Sequence, residues 1–203
     1  MSLLSIVISV CRATGLEIPQ TAYGSTAREI INIVQFASDA AREMARRADW
    51  NELGRVATMT PIISPTLIAG DFARLYTGGV RVNGEPIRGG LSAQEWATLP
   101  AQTGTPRVFR LIGKTIALWP VPTGAANVSV SYQSDSWVIS ASGATRADWG
   151  ADTDTCIFPE DLIVKGAVWR HKRHIGQDFS DYLAEFEAAF ADHARQNAAL
   201  RSP

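Results

Sequence analysis

The sequence predicts an α+β protein: an antiparallel helical bundle of two N-terminal and two C-terminal helices, with a small antiparallel β region inserted between them. Two observations support this class. Apolar residues recur at helical spacing in residues 1–51 and again in residues 157–203. Residues 52–156 instead carry short alternating runs and glycine-containing turn signals, which are typical of antiparallel hairpins. The helical part is therefore expected to combine the two ends of the chain, and the β-rich part is inserted between them in the sequence.

The first 51 residues predict two helices. MSLLSIVISVCRATG has apolar residues at helical spacing, and Gly15 is a typical helix stop. A second helix is expected to begin within GSTAREI, because Thr26 and Glu29 have the spacing of a capping box, and to extend to about Trp50. Its predicted apolar stripe consists of Ile30, Ile33, Val34, Ala37, Ala41, Met44 and Ala45.

The inserted region predicts strands with one short helix among them. The strand-like stretches are ELGRVATMT, ARLYTGGVRVNG, RVFRLIGKTIALWP and ANVSVSYQSDSW. The short helix is expected at about residues 91–99, with Ser92 as its N-cap, Glu95 three residues later and Pro100 as its stop. Residues 139–156 are rich in Asp, Thr, Ser and Gly and predict a polar loop.

The two C-terminal helices are predicted from residue 159 onward. PEDLIVKGAVWRHKRH begins with Pro159 at a first-turn position, and Gly176 is expected to stop this helix. Asp178 then caps a last helix, DFSDYLAEFEAAFADHARQNAAL, whose aromatic residues recur on one face.

The charge balance of the chain disfavours a dedicated duplex-DNA binder. Lys and Arg total 19 against 20 Asp and Glu, and the formal net charge is −1. Proteins that bind duplex DNA usually carry a net basic surface. No apolar run approaches the length of a membrane-spanning helix, so no membrane partner is expected.

No motif in the sequence predicts catalysis, so we expect no enzyme, no catalytic residue, no cofactor and no metal. A nucleophile elbow, a P-loop lysine and a dinucleotide fingerprint are all absent from the sequence. His171 and His174 share a helical face, but a closed metal site needs further ligands. Asp148, Asp152 and Asp154 lack the ligand order of a calcium loop and are interpreted as turn residues.

The densest positive charge lies in WRHKRHI, residues 169–175. Four cations, Lys165, Arg170, Lys172 and Arg173, lie in the second half of their predicted helix, where they complement the negative end of its dipole. The next helix is acidic, so the two helices could form complementary contacts between copies of the chain. Mixed surface charge also serves solubility alone. The alternatives are a nucleic-acid-binding module that uses these four cations as phosphate contacts and, less favoured, a hydrolase with an unrecognised site.

Four stretches resemble a known family. They are SLLSIVISVCRATGLEIP, AREMARRADWNEL, FRLIGKTIALWPVP and ADTDTCIFPEDLIVKGAVWRHKRHIGQDFSDYLAEFEAAF. The most specific features are the aspartate-bearing loop before the third long helix, the tryptophan-arginine pair within that helix, and the glycine-aspartate break before the last one. In these features the chain resembles the head-to-tail adaptors of tailed bacteriophages, also called head completion or tail tubular A-type proteins.

The resemblance implies a structural protein of the virion neck, made in the host cytoplasm. About a dozen copies would form a ring beneath the portal, extend the DNA channel without sequence-specific binding to the passing duplex DNA, and offer a surface to tail or nozzle proteins. The family docks on the portal largely through its C-terminal helix and tail, which makes Arg195, Leu200 and Arg201 candidate portal contacts. The full set of candidate portal or intersubunit contacts is Lys165, Arg170, Lys172, Arg173, Glu185, Glu187, Arg195, Leu200 and Arg201.

Overall fold

The computed structural model describes residues 2–60, 65–122 and 126–199. These residues divide between two compact units. The first unit combines residues up to Leu53 with residues from Asp135 onward, and the second comprises Gly54–Ser134. The helices of the described residues are α1 (Leu3–Thr14), α2 (Arg28–Arg47), α3 (Ala93–Ala97), α4 (Glu160–His174) and α5 (Ser180–Ala199).

Ten strands form three antiparallel sheets within the described residues. Their bounds are β1 (Gly54–Met59), β2 (Thr66–Leu67), β3 (Phe72–Val82), β4 (Glu85–Pro86), β5 (Val108–Ile112), β6 (Thr115–Trp119), β7 (Val128–Ser134), β8 (Val138–Ile139), β9 (Thr145–Arg146) and β10 (Thr155–Cys156). The sheet orders are β1-β7-β3-β4, β2-β6-β5 and β10-β8-β9.

The prediction of a helical bundle with a small inserted β region is therefore wrong, although the class is α+β. One sheet, β10-β8-β9, lies in the same unit as α1, α2, α4 and α5. Trp137 and Val138 from its β8 end are 2% and 0% exposed, in one hydrophobic core with residues of those helices. The sequence pattern missed this sheet because strands of two residues are too short to display a period of two.

Small residues bring α2 and α4 close together. A Cβ atom built on Gly166 would lie 2.6 Å from the Cβ of Ala40, so the glycine permits an approach that no other residue would allow without a shift. Leu162, Ile163 and Ala167 of α4 are fully buried, as are most apolar residues of α1. The first unit thus has a continuous core built mainly from aliphatic and aromatic side chains.

The second unit has a core of its own. Val80, Val128 and Val130 of the four-stranded sheet, and Ile116 and Leu118 of the three-stranded sheet β2-β6-β5, are almost completely buried in one cluster. In β7, the buried residues Val128, Val130 and Tyr132 alternate with the half-buried Ser129 and Ser131, which is the pattern expected when one face of an antiparallel sheet covers a core.

The helix ends show which capping signals the sequence carried. The capping box of Ser92 and Glu95 is confirmed, since the amide of each residue donates to the side chain of the other. Gly15 ends α1 with φ 73°, as predicted. The predicted box of Thr26 and Glu29 is wrong: α2 begins at Arg28, with Ala27 as an N-cap that provides no side-chain hydrogen bond.

Candidate interaction surface

A network of ion pairs joins α2, α4 and α5 in the first unit. Glu43 of α2 accepts hydrogen bonds from Arg170 of α4 and from Arg47, one turn further along α2. Arg47 in turn donates to both carboxylate oxygens of Glu187 on α5, at 2.7 and 2.5 Å. Such a bidentate pair fixes the orientation of both side chains. The four residues therefore connect α2 with α4 and α5, across separations of 127 and 140 residues in the sequence.

Arg170 is the most buried member of this network. Its side chain is 12% exposed, its guanidinium lies 4.3 Å from the centre of the Trp169 ring, and its Nη1 donates to the carbonyl of Gly166 at 2.7 Å. Burial lowers the pKa of Arg170, and the charge of Glu43 offsets part of that effect. Arg170 therefore depends on Glu43, because a buried guanidinium without a partner is strongly unfavourable.

Arg47 and Glu187 stabilise each other in the charged state. The hydrogen bonds to Glu187 are the largest influence on Arg47 and raise its pKa, while the same bonds lower the pKa of Glu187. The Arg47 guanidinium also lies 4.3 Å from the centre of the Phe190 ring. Neither Glu43 nor Arg47 is among the candidate contacts predicted from the sequence. Their spacing of four residues on one helix, glutamate first, is a signal that could have identified them.

The other predicted contact residues that have partners are on or near the surface. The Lys172 ammonium is 2.8 Å from Oε1 of Gln177 and 5.5 Å from the centre of the Tyr182 ring. Lys165 is 4.0 Å from Asp161, and Arg195 is 2.6 Å from Asp192. The hydrogen bonds and ion pairs lie within one helix or its adjoining turn, whereas Tyr182 belongs to α5. They leave the side chains accessible to another molecule.

Arg173 and Glu185 are exposed, and neither has a hydrogen bond or ion pair with any residue that the structure describes. Arg173 lines a solvent-open cavity of about 360 Å³ between α2 and α4, together with Trp169 and His174. The remaining two candidates, Leu200 and Arg201, lie outside the described residues.

The two histidines of α4 occupy different environments. His171 is 5% exposed, and its Nδ1 has no hydrogen-bond partner within the described part of the chain. His174 is exposed, its ring lies 5.5 Å from that of Phe36, and its Nε2 is 3.4 Å from the side-chain amide of Asn32. Among the described residues no group of three or more His, Cys, Asp or Glu side chains is placed to hold a metal ion.

The environment of His171 predicts a dependence of stability on pH. Burial, followed by the nearby His174 and Lys172, lowers the pKa of His171 from 6.5 in the folded protein. In the unfolded chain the pKa of this histidine is about 6.5. Below that pH the unfolded state therefore binds a proton that the folded state does not bind. We expect the free energy of unfolding to fall as the pH drops from about 6.5 toward the lower folded pKa.

The check is urea unfolding at several pH values, followed by circular dichroism at 222 nm, for the natural chain and for His171→Gln. The variant should lose less stability on acidification, whatever its stability at neutral pH. Equal pH dependence in both proteins would contradict the assignment of this effect to His171.

The carboxylates of the aspartate-bearing loop accept hydrogen bonds from backbone amides of the loop itself and of the connection between α1 and α2. Asp152 Oδ1 accepts from the amides of Ala22 and Tyr23 at 2.9 and 2.7 Å. Asp154, which is 1% exposed, accepts from the amides of Gly150 and Ala151 at 2.6 and 3.0 Å. These carboxylate oxygens are therefore already occupied by donors of the chain.

The same loop also caps the first helix. The carbonyl of Asp154 accepts from the amide of Leu3 at 2.8 Å, and that of Asp152 accepts from Leu4 at 3.2 Å. Asp148 connects the loop to α2, since it accepts from Arg42 at 2.7 Å and from Ser38 at 3.3 Å. The amides of a first helical turn have no partner within their own helix, so these contacts fix the start of α1.

In the part of the chain that the structure describes, no helix combines the length and the apolar character that crossing a membrane requires. Among the polar residues that the sequence singled out, those that join separate elements of the first unit are Asp148, Asp152, Arg170 and Glu187.

The chain belongs to the SU10 adaptor family. The sequence model of this family, described as SU10 adaptor protein, matches residues 1–203. The match confirms the resemblance to phage head-to-tail adaptors and makes the chain a bacteriophage structural protein of the adaptor class. No curated protein matches the sequence.

Proposed function

We propose that the chain is a head-to-tail adaptor of the virion neck. In this proposal its copies form a ring, with about twelve members by resemblance, beneath the portal protein. The ring extends the DNA channel and presents a surface to tail or nozzle proteins. The observation that carries the proposal is the family match over the whole chain. Near-neutral charge supports it, because a strongly basic channel would retain passing DNA.

The ion-pair network divides the candidate contact residues into two groups. Arg170 and Glu187 hold partners on other helices of the same chain, so we assign them to maintaining the shape of the unit. Arg173 and Glu185 are exposed and have no partner in the described ranges. We propose these two as the first contacts to a neighbouring copy or to the portal. Lys165, Lys172 and Arg195, whose local partners leave them accessible, are further contacts to the same partners.

The alternative, a nucleic-acid-binding module, has less support from the geometry. It requires Lys165, Arg170, Lys172 and Arg173 to reach phosphates together. Arg170 is largely buried and paired with Glu43, which leaves three accessible cations on this helix. A titration of duplex DNA at increasing salt separates the two hypotheses, since phosphate contacts give a steep salt dependence that reversal of these charges would abolish.

The proposed assembly is tested by mixing the purified chain with the portal protein of the same phage and imaging the product by electron microscopy. A closed layer of chains on the portal ring is expected. Arg173→Glu and Glu185→Lys should each reduce its formation, whereas Arg12→Glu, an equal charge change at an exposed position of α1, should not. A portal that acquires no additional layer under any condition would overturn the proposal.

A further inference from the structure

The cavity between α2 and α4 contains a positive charge without a partner in residues 2–60, 65–122 and 126–199. The cavity measures about 360 Å³, is open to solvent, and has Phe36 and Trp169 among its walls. Arg173 lines it, is exposed, and has no hydrogen bond or ion pair with any residue in those ranges. A cavity with this volume and this lining can admit a side chain of another molecule.

Of the described residues that line the cavity, two others are charged, and both have partners within the chain. Arg170 is paired with Glu43. Asp39 accepts from the side-chain amide of Gln35 at 2.9 Å and lies 3.6 Å from the guanidinium of Arg42. The unbalanced charge of the cavity is therefore positive. A glutamate side chain fits it, because the carboxylate can pair with the free guanidinium while the aliphatic stem packs against the aromatic walls.

The first two turns of α5 carry carboxylates that match this charge. Asp181 and Glu185 are exposed and one turn apart, and neither has a hydrogen bond or ion pair among the described residues of the chain. Ala184 and Ala188 are exposed beside them. We call these four residues the acidic surface of α5. Because alanine adds little bulk, the helix can approach another molecule closely here, and Glu185 has the longest side chain of the four.

The acidic surface and the cavity lie on different sides of α5. Glu187 is directed toward α2, where it pairs with Arg47. Glu185 precedes Glu187 by two residues, which corresponds to about 200° around the helix, so Glu185 points away from α2. The cavity is lined by residues of α2 and α4. Glu185 therefore points away from the cavity of its own copy, and remains available to a neighbour.

We propose that Glu185 of one copy enters the cavity between α2 and α4 of a neighbouring copy and pairs with Arg173 there, with Asp181 beside it at the rim. The two surfaces differ and lie on different sides of α5, so the contact is heterologous. Each copy can offer Glu185 to one neighbour and Arg173 to another, as a closed ring requires. The contact leaves the last turns of α5, with Arg195, available to the portal. This inference rests on the proposed ring and specifies how adjacent copies meet.

Exchange of the two charges tests the contact in the layer that the chain forms on the portal. Arg173→Glu and Glu185→Lys should each raise the concentration of chain needed to form this layer by at least ~10-fold, because each places like charges opposite each other. The double variant Arg173→Glu/Glu185→Lys restores opposite charges at every contact and should recover most of the binding. If the two residues contacted the portal independently, the double variant would bind no better than the weaker single variant.

Cysteine crosslinking in the same layer measures proximity independently of affinity. Arg173→Cys/Glu185→Cys, treated with a short bismaleimide, should give a ladder of linked chains on a denaturing gel. Arg173→Cys alone and Glu185→Cys alone should give none, because a heterologous contact brings different positions together. The matched control is Arg12→Cys/Glu185→Cys, whose first position is exposed on α1, and it should give no ladder. The natural chain, with Cys11 and Cys156, sets the background.

The outcomes separate this contact from the proposed function. If the portal acquires no layer of the natural chain, the head-to-tail function and the contact are both overturned. If the layer forms but the double charge variant is as weak as the single variants, only the pairing of Glu185 with Arg173 is overturned. A double cysteine variant that gives no ladder above the background, in a layer that does form, overturns the pairing in the same way.

Discussion

The substitution Asp154→Ala is expected to lower the free energy of unfolding of the first unit by about 2–4 kcal/mol. The side chain is 2% exposed, and its Oδ2 accepts from the amides of Gly150 and Ala151. Alanine leaves both amides without this acceptor in a partly buried place, and a fully buried donor without a partner costs about 1–3 kcal/mol. The distorted loop would also weaken the contacts that its carbonyls make with the first turn of α1.

The measurement is chemical denaturation followed at 222 nm, because the four long helices all belong to this unit. Asp154→Asn keeps one acceptor oxygen and should cost less than alanine. Asp181→Ala, at an exposed position of α5, should produce no measurable change. A loss below ~1 kcal/mol for Asp154→Ala would contradict the role given to the loop.

The second large effect is expected at Glu43. Glu43→Leu removes the carboxylate that accompanies Arg170, whose side chain is 12% exposed. Removal of one partner from a buried ion pair typically costs about 3–5 kcal/mol, because the remaining charge has no counterion. Because the Glu43 side chain is 26% exposed, the expected loss of stability is smaller than this range, about 2–3 kcal/mol.

The double variant Glu43→Leu/Arg170→Met separates this explanation from a simple loss of packing. Replacement of both charges by apolar side chains of similar volume is often neutral, so the double variant should recover most of the stability lost in Glu43→Leu. Arg195→Ala, which removes an exposed pair with Asp192, should have no measurable effect. Additive losses in the double variant would contradict the idea that Arg170 is held mainly by Glu43.

The sequence predicts the elements that carry long, regular patterns. The apolar stripe of α2 and the aromatic residues of α5 are recognisable because they recur at helical spacing. The capping box of Ser92 and Glu95 is a local signal and was predicted correctly. The sheet β10-β8-β9 was missed, because the hydrogen bonds that define it connect residues distant in sequence and the strands have no pattern of their own.

The candidate surface was predicted less well, for a related reason. The basic run of α4 is evident in the sequence, but the sequence does not reveal which cations have partners. Arg170 and Arg173 look equivalent there, yet one is buried beside Glu43 and the other is exposed. The partner lies 127 residues away. Only the packing of α2 against α4 distinguishes a residue that supports the fold from one available for contact.

The aspartate loop shows why a family signature need not be a ligand site. Its residues are part of the resemblance to phage adaptors, and in the structure their carboxylates accept hydrogen bonds from other residues of the same chain. Asp148 and Asp152 hold α2 and the α1–α2 connection, while Asp154 organises the loop itself. The signature therefore specifies how the first unit is assembled. Contacts to other proteins are expected from exposed residues such as Arg173 instead.

The central claim, that this chain joins head to tail, is tested most directly by deleting its gene from the phage that encodes it and imaging the particles produced. The account predicts heads that carry a portal but no tail, with tails restored when the chain is supplied from a plasmid. Tailed, infectious particles formed without the chain would contradict the account.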